Sequence, residues 1–210
     1  MRYLLYLYYV ILFFSSFLAL KNISRFNSEF KFFGFLVFLT LIVELLAFYF
    51  AISQHNNILV YIVFMPIRVV LINLAYYSYH KEARIRKISI SLVLVYLAYY
   101  TNGLCEIKLN VFPNKLILFE NIILYILVIY SSYLIISKQY YNSLKENEFL
   151  WVNIGYLFYF SVTFFVWSFH FVLKTNDINL ISRITLIILN IMLYSIFTFS
   201  FSKVKLKSEN

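Results

Sequence analysis

The chain has 210 residues, of which 63% are hydrophobic, 22% aromatic and 13% charged, and its formal net charge is +9. Soluble globular domains carry about 25% charged residues, so this composition excludes most soluble protein classes and indicates a membrane protein. Three Gly, two Pro and one Cys are too few for a disulfide framework, a zinc ribbon or a Gly-rich phosphate-binding loop.

Seven apolar runs, each bounded by charges and turn residues, predict seven transmembrane helices. In chain order the predicted spans cover residues 3–20, 32–52, 58–79, 88–104, 116–137, 149–173 and 179–202. All but the first and fourth cross about 30 Å of hydrocarbon comfortably, because a helix rises about 1.5 Å per residue. No segment alternates apolar and polar residues as a strand of a transmembrane barrel does. The sequence therefore predicts an all-α integral membrane protein in which residues 1–210 form a single seven-helix bundle.

Lys and Arg residues are distributed unequally between the two sides of the predicted bundle. The loops after the first, third and fifth spans, together with the C-terminal tail, carry twelve of them, whereas the opposite side carries five. Because loops rich in Lys and Arg stay in the cytoplasm, we expect an external N-terminus and a cytoplasmic C-terminus. The positive net charge is then a topology signal that also attracts anionic lipid headgroups, and no nucleic acid is expected as a partner.

A competing interpretation makes residues 1–20 a cleaved signal peptide. Arg2 precedes an apolar run, and Ser15, Ser16 and Ala19 supply small residues near its end. Cleavage would invert the remaining spans and place the twelve positive charges outside. Because this contradicts the usual distribution of Lys and Arg, we favour seven spans.

Charged residues inside the predicted spans are the first candidates for a functional site. They are Glu44, Arg68, Glu120 and Arg183. An ionisable residue at the centre of a span costs about 2.5–3.5 kcal/mol, so each one needs a partner or a function. Glu44 and Arg68 fall at similar depth on helices joined by residues 53–57, and we expect their side chains to contact each other. Glu120 and Arg183 share a shallower depth and form a second candidate pair.

Two interpretations of these charges remain open. In the first they are ion pairs that dock the helices against one another. In the second they face one outward-opening polar cavity, which binds a small polar or anionic ligand or carries protons. His170 and Asn57 lie near the same side of the membrane, and we add both to the candidate polar cluster.

Polar residues also recur at helical spacing in the last two spans. One face of the seventh span carries Arg183, Asn190, Tyr194 and Thr198, and one face of the sixth carries Tyr156, Thr163, Trp167 and His170. Such faces point into a helical bundle and form hydrogen bonds across it. They serve either as packing contacts or as the wall of a site.

Pro66 lies in the middle of the third span, two residues before Arg68. Proline has no backbone N–H, so the carbonyl four residues earlier, that of Ile62, loses its helical donor. The sequence therefore predicts a kink beside a buried Arg, which suits either a ligand site or a hinge.

The sequence offers little that is typical of catalysis or of metal binding. Motifs such as HExxH and GxSxG are absent, and the three histidines are too scattered to suggest a haem site. We therefore assign no catalytic residue, no metal and no cofactor. An intramembrane lipid-modifying enzyme, with Glu44 or Glu120 as general base, is the weakest of three functional hypotheses.

Residues 39–77 contain a Glu in the second span, a short HNN connection, and Val-Tyr leading into a span with a polar residue. This stretch resembles small seven-helix membrane proteins of Bacteroidota whose function is uncharacterised. The likeness covers about a fifth of the chain and rests on Glu44, Asn56, Asn57 and Tyr61. The chain departs from the pattern at Pro66 and Arg68, where an acidic residue would fit better. The resemblance implies a bacterial inner membrane and no particular activity.

Two hypotheses stand ahead of the enzyme. The first is a non-enzymatic, multi-pass membrane module with an outward-facing polar pocket, acting as a sensor or as a subunit of a membrane complex. Its expected partners are the lipid bilayer and either another membrane protein or a second copy of the chain. The second is a transporter or channel for a small solute or for protons. Because the buried charges lie in the outer half of the predicted bundle, the sequence favours a pocket closed below.

Overall fold

The computed structural model describes residues 2–53, 56–105, 113–137, 147–173 and 176–203, and the side chains of these residues apart from 170–179. Its helices are α1 (Arg2–Asn22), α2 (Ser28–Ile52), α3 (Ile58–Tyr79), α4 (Ala83–Leu104), α5 (Asn114–Ser137), α6 (Glu148–Leu173) and α7 (Asn176–Lys203). Within these ranges the chain forms no strand. The predicted all-α fold with seven helices is confirmed.

Six of the seven described helices are long and apolar enough to cross a membrane, so the protein is a multi-pass membrane protein. The exception is α4, whose first turns contain Arg84, Arg86 and Lys87. This helix begins at Ala83, five residues before the predicted start at residue 88, because basic side chains at the membrane surface do not interrupt a helix. Among the described helices, six of the seven predicted spans are thus supported by length and composition, whereas the fourth forms a helix that does not meet these criteria.

Neighbouring helices in the sequence pack against each other, and α7 packs against α1 to close a ring. Helix α3 also contacts α5 directly, so α4 lies outside the groove between these two helices. Successive helices run in opposite directions. We call the end of the bundle where α1 begins the Arg2 end, and the opposite end, where α7 finishes, the Lys203 end.

Aromatic rings fill the centre of the bundle in the half towards the Lys203 end. The ring of Phe33 in α2 is fully buried and lies 5.6–6.2 Å, between ring centroids, from rings of α3, α6 and α7. These partner rings are those of Tyr76, Phe149, Tyr156 and Phe197. Aromatic side chains bury large areas and interdigitate closely, so this half of the bundle is closed.

A chain of polar contacts ties α3, α5 and α6 together beside these rings. The Tyr76 hydroxyl donates to Asn153 Oδ1 over 2.6 Å, and Asn153 Nδ2 donates to Ser132 Oγ over 2.5 Å. Nearer the Lys203 end, His80 Nε2 and Ser131 Oγ lie 2.7 Å apart. Each of these buried polar groups has a partner on another helix, which fixes the rotation of the three helices about their axes.

The gap that Pro66 leaves in α3 is filled by α4. The Tyr100 hydroxyl donates to the Ile62 carbonyl over 2.9 Å, which is the acceptor that lacks a helical donor. About three helical turns further towards the Lys203 end, Ser89 Oγ donates to Asn73 Oδ1 over 3.0 Å. These two contacts dock α4, the least apolar helix, on the outside of α3.

The Tyr100 contact can be tested with a double-mutant cycle. We expect Tyr100→Phe to lower the free energy of unfolding in SDS-containing mixed micelles by about 1 kcal/mol, because it leaves a buried carbonyl unpaired. In a Pro66→Ala background the loss should fall towards zero, since the new backbone N–H can pair with Ile62. Tyr99→Phe is the matched control, because Tyr99 packs its ring on Phe119 and is more exposed. Equal losses in both backgrounds would contradict this role for the hydroxyl.

Candidate functional site

A polar cavity of about 170 Å³ lies inside the bundle in the half towards the Arg2 end. Every described helix except α4 contributes to its wall. Its polar lining consists of Thr40, Glu44, Arg68, Asn121, Thr163 and Asn190. Its aromatic lining consists of Tyr8, Tyr61, Phe64, Tyr159, Trp167 and Tyr194. The cavity therefore combines two formally charged side chains, Glu44 and Arg68, with several aromatic rings.

Arg68 in α3 is paired with Glu120 in α5 rather than with a residue of α2. Its Nε lies 2.6 Å from Glu120 Oε1, and the Glu120 side chain is fully buried. The Arg68 side chain is 26% exposed, and it lines the cavity. The carboxylate balances the charge of the guanidinium at this distance. Arg68 therefore presents N–H donors to the cavity, while the ion pair as a whole carries no net charge.

The predicted contact between Glu44 and Arg68 is wrong, and the candidate pair of Glu120 with Arg183 does not form, because Glu120 pairs with Arg68. Glu44 and Arg68 line the same cavity, but Arg68 makes its ion pair with Glu120, and Arg183 is exposed. Depth along a helix can be estimated from residue counts, whereas rotation about the helix axis cannot. Helix α3 turns Arg68 towards α5, a helix that is not its neighbour in the sequence.

Glu44 has hydroxyl groups as its polar neighbours. The Tyr61 hydroxyl donates to Glu44 Oε2 over 3.4 Å, and the Tyr8 hydroxyl also lies within hydrogen-bonding reach. Among the side chains that the structure describes, no Lys, Arg or His lies within 4.0 Å of this carboxylate. With Arg68 and Glu120 neutralising each other, an ionised Glu44 gives the described cavity wall a net charge of −1.

Asn121 adds a donor to the same wall. Its Oδ1 lies 3.3 Å from Thr163 Oγ1, which donates over 2.7 Å to the Tyr159 carbonyl, while its buried Nδ2 has no hydrogen-bond partner among the described residues. The second carboxylate oxygen of Glu120, Oε2, is also buried and has no hydrogen-bond partner among the described residues. Buried polar groups in folded proteins are normally paired, so unpaired groups beside a cavity point to a ligand or to water.

The remaining predicted site residues divide into three groups. Thr163, Trp167, Asn190 and Tyr194 line the cavity, which is one of the two roles that their helical spacing left open. Asn57 immediately precedes α3 and does not line the cavity, Tyr156 lines a smaller cavity beyond it, and the partly exposed Thr198 lines neither. The side chain of His170 lies outside the described residues.

The sequence carried a signal for several lining residues that were not singled out. In α2, Thr40 and Glu44 are four residues apart, and in α3, Tyr61 and Arg68 are seven apart. These spacings place each pair on one helix face. Tyr8 and Tyr159 had no comparable signal, because the chain contains 20 Tyr residues.

No model of a known protein family matches the chain, and neither a curated protein nor a solved structure matches it. The resemblance over residues 39–77 therefore stays a prediction.

Arg68 lies at the inner end of the cavity, the end towards the middle of the bundle. A smaller cavity of about 30 Å³ lies beyond it and shares Thr40, Arg68, Tyr159 and Tyr194 with the first. That smaller space ends against the ring cluster around Phe197 and Tyr156. In this structure the polar space thus reaches the middle of the bundle and stops there.

The assignment of Arg68 to Glu120 predicts unequal effects of removing the two acidic residues. We expect Glu120→Ala to lower the free energy of unfolding by about 3 kcal/mol, because it leaves a guanidinium without its carboxylate inside the bundle. Glu44→Ala should cost far less, since that carboxylate has no described cationic partner. SDS titration of the purified variants in mixed micelles measures both losses. A larger loss for Glu44→Ala would contradict the pairing.

Proposed function

We propose that this protein is a non-enzymatic membrane module that binds a small organic cation in the cavity between α1, α2, α3, α5, α6 and α7. The single observation that carries the proposal is the position of Glu44. Its carboxyl group lines the cavity and accepts a hydrogen bond from Tyr61, and it forms no ion pair among the described residues. A monovalent cation is the ligand that would balance the charge of an ionised Glu44.

The aromatic wall supports the same ligand class. The faces of Tyr, Trp and Phe rings attract ammonium groups, by about 2 kcal/mol or more where water is excluded. The cavity wall contains six aromatic side chains, and one of them, Tyr61, contacts the carboxylate through its hydroxyl. A carboxylate surrounded by rings favours an alkylammonium over a metal ion, which would require several oxygen ligands.

The size of the cavity limits the ligand. Its volume of about 170 Å³ lies below the range of about 300–1,000 Å³ that holds drug-sized molecules. Arg68 and the unpartnered Nδ2 of Asn121 offer donors for an oxygen atom at the inner end of the cavity. We infer a small amine, with or without a hydroxyl or carbonyl group.

We infer that ligand binding is signalled to a partner through a change in the packing of the helices. The cavity wall comes from six of the seven described helices, so a bound ligand contacts nearly the whole ring. A membrane-protein partner or a second copy of the chain would detect the resulting change in helix packing from the lipid-facing side. The closed aromatic half of the bundle favours this sensor or subunit role over a continuous channel.

A small-solute transporter is the second candidate, and the small cavity beyond Arg68 is the observation that favours it. Movement of the rings around Phe33 would extend this space towards the Lys203 end. Uptake of labelled methylammonium into proteoliposomes separates the two functions. Transport predicts accumulation above that of empty vesicles, whereas a binding module predicts binding without accumulation.

Ligand binding can be tested with simple probes. We expect tetramethylammonium or propylammonium chloride to raise the thermal midpoint of the detergent-purified protein, because ligands that bind only the folded state stabilise it by mass action. Sodium acetate, an anionic probe, should have no such effect. Glu44→Gln should abolish the stabilisation, whereas Glu29→Gln, which removes a carboxylate near the Lys203 end, should leave it unchanged. Stabilisation that survives in Glu44→Gln would contradict a site at Glu44.

We also propose that the Arg2 end faces the outside of a bacterial inner membrane, which is supported by the unequal distribution of Lys and Arg. A reporter that is active only in the cytoplasm should be active when it is fused after Asn210. The same reporter inserted near Asn110 should be inactive, and an export-dependent reporter there should be active. The reverse pattern at both positions would overturn the orientation and place the cavity on the cytoplasmic side.

A further inference from the structure

An apolar groove of about 260 Å³ runs along the outside of the bundle between α3 and α4, away from the polar cavity. Helix α3 contributes Val70, Leu74 and Tyr77, and α4 contributes Ile90, Val93 and Leu94. Two polar side chains, those of Asn73 and Ser89, also border it, but they are hydrogen-bonded to each other. The groove therefore presents hydrocarbon to whatever lies in it.

This groove opens towards the lipid. Its long axis runs from near the membrane surface towards the middle of the bilayer, as the acyl chain of a lipid does. Leu74, Ile90 and Leu94 in its wall are 38%, 51% and 63% exposed, respectively. From Tyr77, close to the end of α3, it extends to Val70 near the middle of the helix, a distance of about 10 Å at 1.5 Å per residue. In a bilayer, a hydrophobic groove that begins near the surface and runs inwards takes an acyl chain.

The surface end of the groove is strongly basic. The turn from α3 to α4 and the first turns of α4 contain Lys81, Arg84, Arg86 and Lys87 against a single acidic residue, Glu82. Lys81, Arg84 and Lys87 are exposed. Four cations and one anion within seven residues give this end of the groove a net charge of +3.

Arg86 joins the basic turn to the groove. Its guanidinium lies 4.9 Å from the centroid of the Tyr77 ring, and Tyr77 forms the surface end of the groove wall. Its Nε donates to the His80 carbonyl over 2.9 Å, which holds the guanidinium in one place. The terminal N–H groups of an Arg held in this way are suited to a bidentate contact with a phosphate.

We propose that the groove between α3 and α4 is a binding site for one anionic phospholipid. Its acyl chain lies along Val70, Leu74 and Val93, and its phosphate contacts Arg86, with Arg84 and Lys87 adding attraction from the surface. Basic sites between transmembrane helices are suited to anionic headgroups, because each Lys or Arg near the surface attracts the phosphate. This site also accounts for the low hydropathy of α4, whose basic first turn would be the headgroup-binding segment. It is independent of the ligand proposed for the polar cavity.

Native mass spectrometry of the full-length protein in detergent tests the proposal. Phosphatidylglycerol and phosphatidylcholine with identical acyl chains are added in parallel, and the bound lipids are counted. We expect one phosphatidylglycerol to remain bound under conditions that remove phosphatidylcholine. Arg86→Gln should weaken phosphatidylglycerol binding about tenfold, which corresponds to about 1.4 kcal/mol.

Two further variants separate a specific site from general attraction to basic residues. Arg25→Gln is the matched control, because it removes an exposed Arg at the same end of the bundle, in the turn between α1 and α2. It should leave binding unchanged. Val93→Trp fills the groove without changing charge and should also weaken binding, which keeps the test valid if Arg86→Gln fails to fold.

Three results would overturn the proposal. One is equal retention of the two lipids, and another is an equal loss of binding in Arg25→Gln and Arg86→Gln. The third is full competition by glycerol 3-phosphate, which has the headgroup chemistry without an acyl chain and would indicate a site for free phosphate compounds instead.

Discussion

The ion pair between Arg68 and Glu120 determines the electrostatics of this bundle. It joins α3 to α5, two helices that are not adjacent in the sequence, through a contact of 2.6 Å that ends at a fully buried carboxylate. A charge left alone at this depth would cost several kcal/mol, so the pair fixes both helices in rotation. Because the charge of Arg68 is balanced in this way, an ionised Glu44 has no described counter-ion in the cavity. The proposed preference for a cation depends on this assignment.

The direct contact between α3 and α5 also explains the position of α4. Since α5 occupies the inner side of α3, α4 packs outside, where it completes the hydrogen bonding of α3 at the carbonyl freed by Pro66. The bundle is thereby divided into three environments: a polar cavity, a closed aromatic half, and a lipid-facing groove beside a basic turn. Each arises from a different part of the sequence, and each suits a different chemistry.

The helices could be predicted from the sequence because an apolar run of about 20 residues has few alternatives in a membrane. The cavity residues of α6 and α7 could be predicted in part, since Thr163, Trp167, Asn190 and Tyr194 recur with a helical period. The partner of Arg68 could not be predicted. Residue counts give depth, whereas the choice between Glu44 and Glu120 depends on which helices pack together, and the short loops indicated sequential neighbours alone. Tyr8 and Tyr159 were missed because Tyr is too common here to mark a site.

The most direct test of this account compares two double-mutant cycles that share Arg68→Leu. The first cycle pairs this change with Glu120→Leu, and the second pairs it with Glu44→Leu. From the free energies of unfolding in mixed micelles we expect a coupling of about 1 kcal/mol or more in the first cycle. In the second cycle we expect additivity to within about 0.5 kcal/mol. Strong coupling of Arg68 to Glu44, with additive effects at Glu120, would contradict the account.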